Sequence, residues 1–428
     1  MNYSLMHPRD EIVLTMERIY RYKMTTTSGG NISILDDGHA MWITPGAVDK
    51  GSLRPDDIVC VQADGRVAGR HKPSSECPFH QAIYHARPDI RAIVHAHPVA
   101  LVAFSASGRV PDTRLFPQAH RVCGDVGFAP YAPPGTQQLG ENIARTFAKG
   151  FKCVVLENHG VVTGAPTLQE AFQEFETLEF TAKTFIKASI VGRPRPLSEE
   201  QIELAHRTEP HLPEFEPGPP TNGERELRKG ICDFVVRGYK QGLVTSTTGS
   251  FSARVDDRSF LITPYPVDRY SIEPADLTLV RDGKHERGKT PSRAVLNHKA
   301  IYDRHPQVGA IVNAFPVNAS AFSVCETPLN THTIPESYVL LRDVPRLPYG
   351  IQYEDGRALA ERVSIQHPVA LFENDGVLVL GKTVLSAFDR LEVLEYTAEA
   401  VINSQPIGGT KPMSEELLRE LERMFPEP

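Results

Sequence analysis

Apolar residues along the chain recur at two periods. Over residues 75–86, Phe79, Ala82, Ile83 and Ala86 fall at helical spacing, and Ser74 and Ser75 are placed to cap the helix start. Residues 92–97 alternate between apolar and polar, as a strand does. The spacing of Leu139, Ile143 and Phe147 predicts a second helix over 138–148. Thr167 with Glu170 forms a capping-box pattern that opens a long helix, its apolar face made by Leu168, Phe172, Phe175 and Phe185. Short β-rich runs at 31–35, 41–44, 58–62 and 153–157 separate these helices. The pattern predicts an α/β protein with a sheet flanked by helices. Periodicity alone leaves the strand order open.

The same pattern is then written a second time. "MWITPGAVDKGSLRPDDIVCV" (41–61) matches "FLITPYPVDRYSIEPADLTLV" (260–280), and "HQAIYHARPDIRAIVHAHPVALVAF" (80–104) matches "HKAIYDRHPQVGAIVNAFPVNASAF" (298–322). "VVLENHGVV" (154–162) matches "ALFENDGVL" (370–378), and "PLSEE" (196–200) matches "PMSEE" (412–416), all at a nearly constant offset. Two domains of one fold are expected, 1–210 and 222–428. The join, "PHLPEFEPGPPTNGE" (210–224), is rich in proline and glycine, as a linker is.

Composition narrows the function classes. The chain has 428 residues, 40% hydrophobic and 23% charged, an ordinary globular balance. A net charge of −7 argues against a surface built to neutralise nucleic-acid phosphates. The six cysteines are scattered without a CxxC pair and read as reduced, mostly buried thiols. The first residues, "MNYSLMHPRDEIVL", lack a secretory pattern, and no apolar run approaches the roughly 20 residues of a membrane span. A cytoplasmic protein without membrane or nucleic-acid partners, acting on a small molecule, is expected.

The chemistry concentrates in the first copy. In "AIVHAHPVA" (92–100), His95 and His97 stand two residues apart on a strand and therefore face one side. "ENHG" (157–160) offers His159 as a third imidazole. Three imidazoles suit zinc, iron, cobalt or manganese and leave positions open for a substrate. Glu76, in "KPSSE" (72–76), lies in the first turn of the predicted helix. It reads either as a carboxylate favoured by the helix dipole or as a general base beside a metal.

Taken in order, "GGNIS" (29–33), "ITP" (43–45), "KPSSE", "HAHP" (95–98), "APYAPPGT" (129–136) and "ENHG" resemble the class II aldolase/adducin family over nearly all of the first copy, and more weakly over the second. The resemblance implies a three-layer α/β/α domain around a mainly antiparallel sheet. It implies that His95, His97 and His159 bind a divalent metal, most often Zn2+, with Mn2+, Co2+ or Fe2+ as alternatives, and that Glu76 is the acid/base. An aldolase-type lyase acting on a small sugar or sugar-acid derivative through a metal-stabilised enediolate is the expected function. Epimerase, dehydratase and decarboxylase chemistry share that logic, and the family also contains non-catalytic adducin scaffolds. The family's phosphate pocket resembles "TSGGNIS" (27–33) plus the paired serines, which makes Gly30, Asn31, Ser74 and Ser75 the anion-binding candidates, with Thr44 beside them. Two departures stand out. "ITPGA" (43–47) lacks the second hydroxyl that family aldolases carry, and "RLFPQAHR" (114–121) has no tyrosine where an aldolase acid is expected; His120 there either substitutes or is incidental.

In the second copy His95 becomes Asn313, His97 becomes Phe315, His159 becomes Asp375 and Glu76 becomes Ala294. That copy is expected to be metal-free. Family members are commonly four-fold rings, so a homo-oligomer is expected, either a dimer forming a pseudo-four-fold ring or a tetramer. In such a ring the second copy could lend Glu336 or Tyr338 from "PESYVLLRD" (335–343).

Overall fold

The computed structural model describes residues 5–207 and 210–426. The chain divides into two compact units. The first runs to Thr113 and resumes over Ala119–Lys183, and the second comprises Arg114–Gln118 and the chain from Thr184 onward. The repeat alone assigns 184–210 to the first domain. In the structure its backbone finds partners in the second unit: Thr327 Oγ1 donates to the Val191 carbonyl at 2.7 Å and Arg195 N to the Val324 carbonyl at 2.9 Å.

The first unit holds eight strands: β1 (Asn31–Leu35), β2 (Met41–Ile43), β3 (Val59–Val61), β4 (Val67–Ala68), β5 (Ala92–Ala96), β6 (Val126–Ala129), β7 (Cys153–Leu156) and β8 (Val161–Ala165). They form one sheet in the order β4-β3-β2-β1-β5-β8-β7-β6. Every pair is antiparallel except β6 with β7. Six helices accompany them: α1 (Pro8–Arg21), α2 (Cys77–Ala86), α3 (Val99–Ala106), α4 (Pro117–Cys123), α5 (Gln137–Phe147) and α6 (Leu168–Val191). The central strands β5, β7 and β8 are buried at every residue, which requires cover on both faces, as the layered architecture predicts. On one face Ile93, Val154, Leu156 and Val162 pack with Phe79 and Ile83 of α2 and Leu139, Ile143 and Phe147 of α5.

Several predicted boundaries shift by a residue or two. α2 begins at Cys77, after Glu76 rather than after the serines, and Glu76 makes no side-chain cap bond. Instead Ser74 Oγ accepts the Glu76 N–H at 3.3 Å. β5 ends at Ala96, so His97 lies just beyond the strand. Thr167 does cap α6, its hydroxyl accepting from Glu170 N at 3.2 Å while donating to the Glu170 carboxylate at 2.9 Å. α6 is buried well beyond the predicted stripe. Glu174 and Glu179 are sequestered along with Leu168, Phe172 and Phe175, whereas Phe185 is only partly covered. Glu179 accepts the N–H groups of Ala100 and Leu101, otherwise unpaired donors in the first turn of α3, at 3.4 and 3.1 Å.

The second unit repeats this frame with nine strands. Strand Ser250–Asp256 pairs with Ala310–Ala314 so that Ser250 faces Asn313, as Asn31 faces His95 in the first unit. Glu395 accepts from Asn318 N and Ala319 N, as Glu179 accepts from Ala100 N and Leu101 N at the start of α3. The proline-rich join is not wholly unstructured. Glu214–Phe215 runs parallel to Lys284–Glu286 and covers that sheet edge, with His285 N donating to the Pro213 carbonyl at 2.9 Å. All six cysteines are free thiols, five of them buried. Among the described residues no helix is long and apolar enough to cross a membrane.

Candidate metal centre

His95 lies near the end of β5, on the same face as Ile93, and its ring meets Phe79 edge-on at 5.4 Å. Its Nδ1 lies 2.9 Å from the Val161 carbonyl. A carbonyl only accepts, so Nδ1 carries a proton and Nε2 is the ring nitrogen left to face the interior. His97 follows immediately, at the point where Pro98 caps α3. Its Nε2 stands 3.1 Å from that of His95. His159 comes from the turn between β7 and β8. Asn158 adopts a φ of 51° there, and Ser105 of α3 accepts the His159 N–H at 2.9 Å while donating to the Leu156 carbonyl. Thus Glu179 anchors α3, α3 anchors the turn, and the turn aims His159. One ring nitrogen from each histidine lies within 4.8 Å of the others.

Two glycines permit this closeness. A Cβ on Gly160 would stand 2.6 Å from the His97 ring, and one on Gly30, where φ is +74°, would stand 2.7 Å from the His95 carbonyl.

Glu76 closes the cluster. Its Oε2 is 3.2 Å from His95 Nε2 and accepts from the Asn31 amide at 2.7 Å, and its Oε1 is 3.3 Å from His159 Nε2. Burial alone would raise its pKa, but His95, the Asn31 hydrogen bond and His159 outweigh that and hold the carboxyl well below the usual range. Burial, followed by the neighbouring imidazoles, pushes His97 down to about 3 and His159 down to about 4. Both rings are therefore neutral at physiological pH, the form that ligates metal. Glu76 Oε1 and His159 Nδ1 are buried without a hydrogen-bond partner among the described residues. Converging imidazole lone pairs and an orphaned carboxylate oxygen fit a divalent cation, and His95, His97 and His159 could hold one.

The anion-binding candidates are placed less uniformly. Ser74 is buried beside Glu76, and Ser75 is exposed at the helix entrance. Gly30 supplies the turn into β1. The Asn31 side chain is committed to Glu76 and His80, so it orients the carboxylate. Thr44 is fully buried, its hydroxyl accepting the Ile32 N–H at 3.2 Å, so it braces the loop from beneath. His120 bonds Thr113 at 3.2 Å, and the Tyr338 hydroxyl donates to Glu422 at 2.6 Å.

One chain of residues was not foreseen. Tyr84 OH meets Ser33 Oγ at 2.6 Å, Ser33 Oγ meets His80 Nδ1 at 2.7 Å, and His80 Nε2 meets Asn31, which bonds Glu76. The signal was in the sequence: "HQAIY" and "HKAIY" both set a histidine four residues before a tyrosine on one helical face. In the second unit Tyr302, Ser252 and His298 form the same chain, which there ends on Asn313 at 2.7 Å.

The class II aldolase and adducin N-terminal domain model matches residues 10–186 and again 229–402. A 5-deoxy-D-ribulose 1-phosphate aldolase of Bacillus thuringiensis serovar kurstaki is 32% identical over 202 residues, 46% of this chain and 93% of that protein. A 3-oxo-tetronate 4-phosphate decarboxylase of Haemophilus influenzae is 32% identical over 181 residues, 41% of this chain and 85% of the relative. Among solved structures, an L-fuculose 1-phosphate aldolase is 32% identical, covering 48% of this chain and 95% of its own, with a TM-score of 0.43. Each relative is thus matched along most of its length by less than half of this chain, while the family model matches twice. The chain belongs to the class II aldolase and adducin N-terminal domain family, in two tandem copies.

Proposed function

We propose that the first unit is a divalent-metal-dependent lyase that makes or breaks a carbon–carbon bond in a small hydroxy-carbonyl compound of the sugar or sugar-acid class. The observation that carries this reading is the convergence of His95, His97 and His159 on one point with Glu76 between them. Bound there, a divalent ion, with Zn2+ the first choice for a three-imidazole set, would supply Lewis-acid stabilisation of the charge that develops on the substrate oxygens. The rest of the chemistry belongs to the chain. Glu76 is ionised and can accept a proton at Oε1, the oxygen without a hydrogen-bond partner, and return it. Asn31 fixes the other oxygen. The Gly30 turn and the exposed Ser75 are the groups that would receive an anionic end of the substrate.

Decarboxylation is the second reading. It is favoured by the Haemophilus influenzae relative, whose name specifies that reaction. The test is metal content per chain by mass spectrometry, together with turnover of 5-deoxyribulose 1-phosphate, fuculose 1-phosphate and 3-oxo-tetronate 4-phosphate. One equivalent of metal, lost in His95→Ala/His97→Ala along with all turnover, is the expected result. Turnover that survives in the variant would overturn the reading. Which substrate is consumed separates aldol cleavage from decarboxylation.

A further inference from the structure

The second unit contains a cavity of about 150 Å³ at the place where the first unit has its histidine cluster. A dead site under no demand would be expected to fill with apolar side chains, because close packing stabilises and an empty polar hole does not. Ala294 and Phe315 follow that expectation, but other positions run against it. Phe79, buried in the first unit's core, corresponds to Asn297, and Ser75 corresponds to Arg293. The "PPG" of the first loop becomes "IQY", placing Gln352 and Tyr353 in the cavity wall.

These new groups are arranged around the cavity. Arg293 is held over it by Gln118 Oε1 at 3.0 Å and by the Tyr265 ring at 5.9 Å. Asp375 accepts from Gln352 at 3.0 Å and from the Tyr353 hydroxyl at 3.4 Å. Ser250 and Ser292 bond one another beneath the Gly249 turn. Asn297 is only 6% exposed, and although its amide N–H reaches the Gln352 carbonyl at 2.9 Å, its Oδ1 has no partner among the described residues. A buried acceptor left open in a cavity wall, where the first unit keeps a phenylalanine, is a cost that a bound donor would remove.

We propose that this cavity is a second, metal-free ligand site that binds a small hydroxylated anion without turning it over. Arg293 pairs with the anion, and Asn297 Oδ1 accepts from a ligand hydroxyl. Phe315 stands where His97 does in the first unit and gives the site an apolar wall in place of a ligand to metal. The volume sets the size: a cavity of this order holds a guest of roughly six heavy atoms, so a three-carbon skeleton fits.

The test uses the full chain carrying His95→Ala/His97→Ala in a chelator, so that the first unit's metal chemistry is silent. Isothermal titration calorimetry is run with D-glycerate and, separately, with inorganic phosphate. Saturable binding of one or both probes is expected, weakened roughly tenfold or more by Arg293→Ala and by Asn297→Phe, which restores the first unit's residue. Binding of D-glycerate alone identifies a carboxylate site, and binding of inorganic phosphate alone a phosphate site. Circular dichroism checks that each variant folds, and either variant alone suffices. Absence of binding by both probes, or binding indifferent to the folded variants, overturns the proposal. Neither result bears on the first unit's metal dependence, which is read from metal content.

Discussion

The two carboxylate oxygens of Glu76 face different partners, and the difference gives them different roles. Oε2 is pinned by Asn31 and His95, while Oε1 faces His159 without a hydrogen bond. Glu76→Gln keeps the shape but cannot take a proton. Turnover should fall by roughly two to four orders of magnitude with metal stoichiometry retained, as single-turnover kinetics beside metal analysis would show. Asn31→Ala should lower kcat by about tenfold, because the carboxylate loses its orientation but not its chemistry. Equal metal content in the two proteins would confirm that Asn31 acts through Glu76. Loss of metal in Asn31→Ala would make it part of the metal's support instead. Among the histidines, the "HAHP" and "ENHG" signals named the three rings that cluster, although His97 lies just beyond the strand expected to carry it. The sequence was less legible at Asn31 and Thr44, whose side chains look available for an anion until β1 and its neighbours claim them.

At the scale of elements, α6 departs furthest from its amphipathic pattern. Glu174 is buried in it, with Lys152 Nζ 3.7 Å away. Burial pushes its carboxyl up to about 8, against the pull of Lys152 and Arg87 and with Glu170 adding to the rise. Its ordinary value is 4.5, so the folded state binds the proton more tightly than the unfolded one. Its contribution to stability is therefore full below about 4.5 and is lost as pH rises through about 8. Replacing Glu174 with glutamine should flatten the fall in Tm between these limits relative to the parent, and parallel Tm curves would refute this. Gly160→Ala is the corresponding test of the β7–β8 turn. With 2.6 Å between the new Cβ and the His97 ring, one histidine must move, and metal affinity should drop by at least tenfold in a competition titration. Helix and strand identities were readable from periodicity because burial follows it. The ends were not, since α2 starts where Pro78 and the Ser74 hydroxyl place it, and β5 stops where His97 turns toward the metal point.

At the scale of the whole molecule, the repeat was the most legible feature, and the register Asn31–His95 against Ser250–Asn313 shows how faithfully the frame was copied. What the repeat could not convey is how the segment after Lys183 packs, because a similarity between two copies carries no information on which copy a connecting segment joins. Sedimentation should give a particle of two chains of 47.4 kDa each if the expected pseudo-four-fold ring forms, and a monomer would remove that expectation.

The Tyr–Ser–His chain has a meaning that only the pair of units reveals. In the first unit it leads to Glu76 and invites interpretation as a path for protons. The second unit has neither the carboxylate nor the three clustered histidines, yet Tyr302, Ser252 and His298 remain bonded as in the first. The chain is better understood as a rivet: it fastens the helix to the sheet through three buried polar groups that satisfy one another, and it lets the residues at its far end be exchanged without loosening the joint. On that account, replacing His80 or His298 by alanine should destabilise its own unit to a similar degree, whatever becomes of turnover.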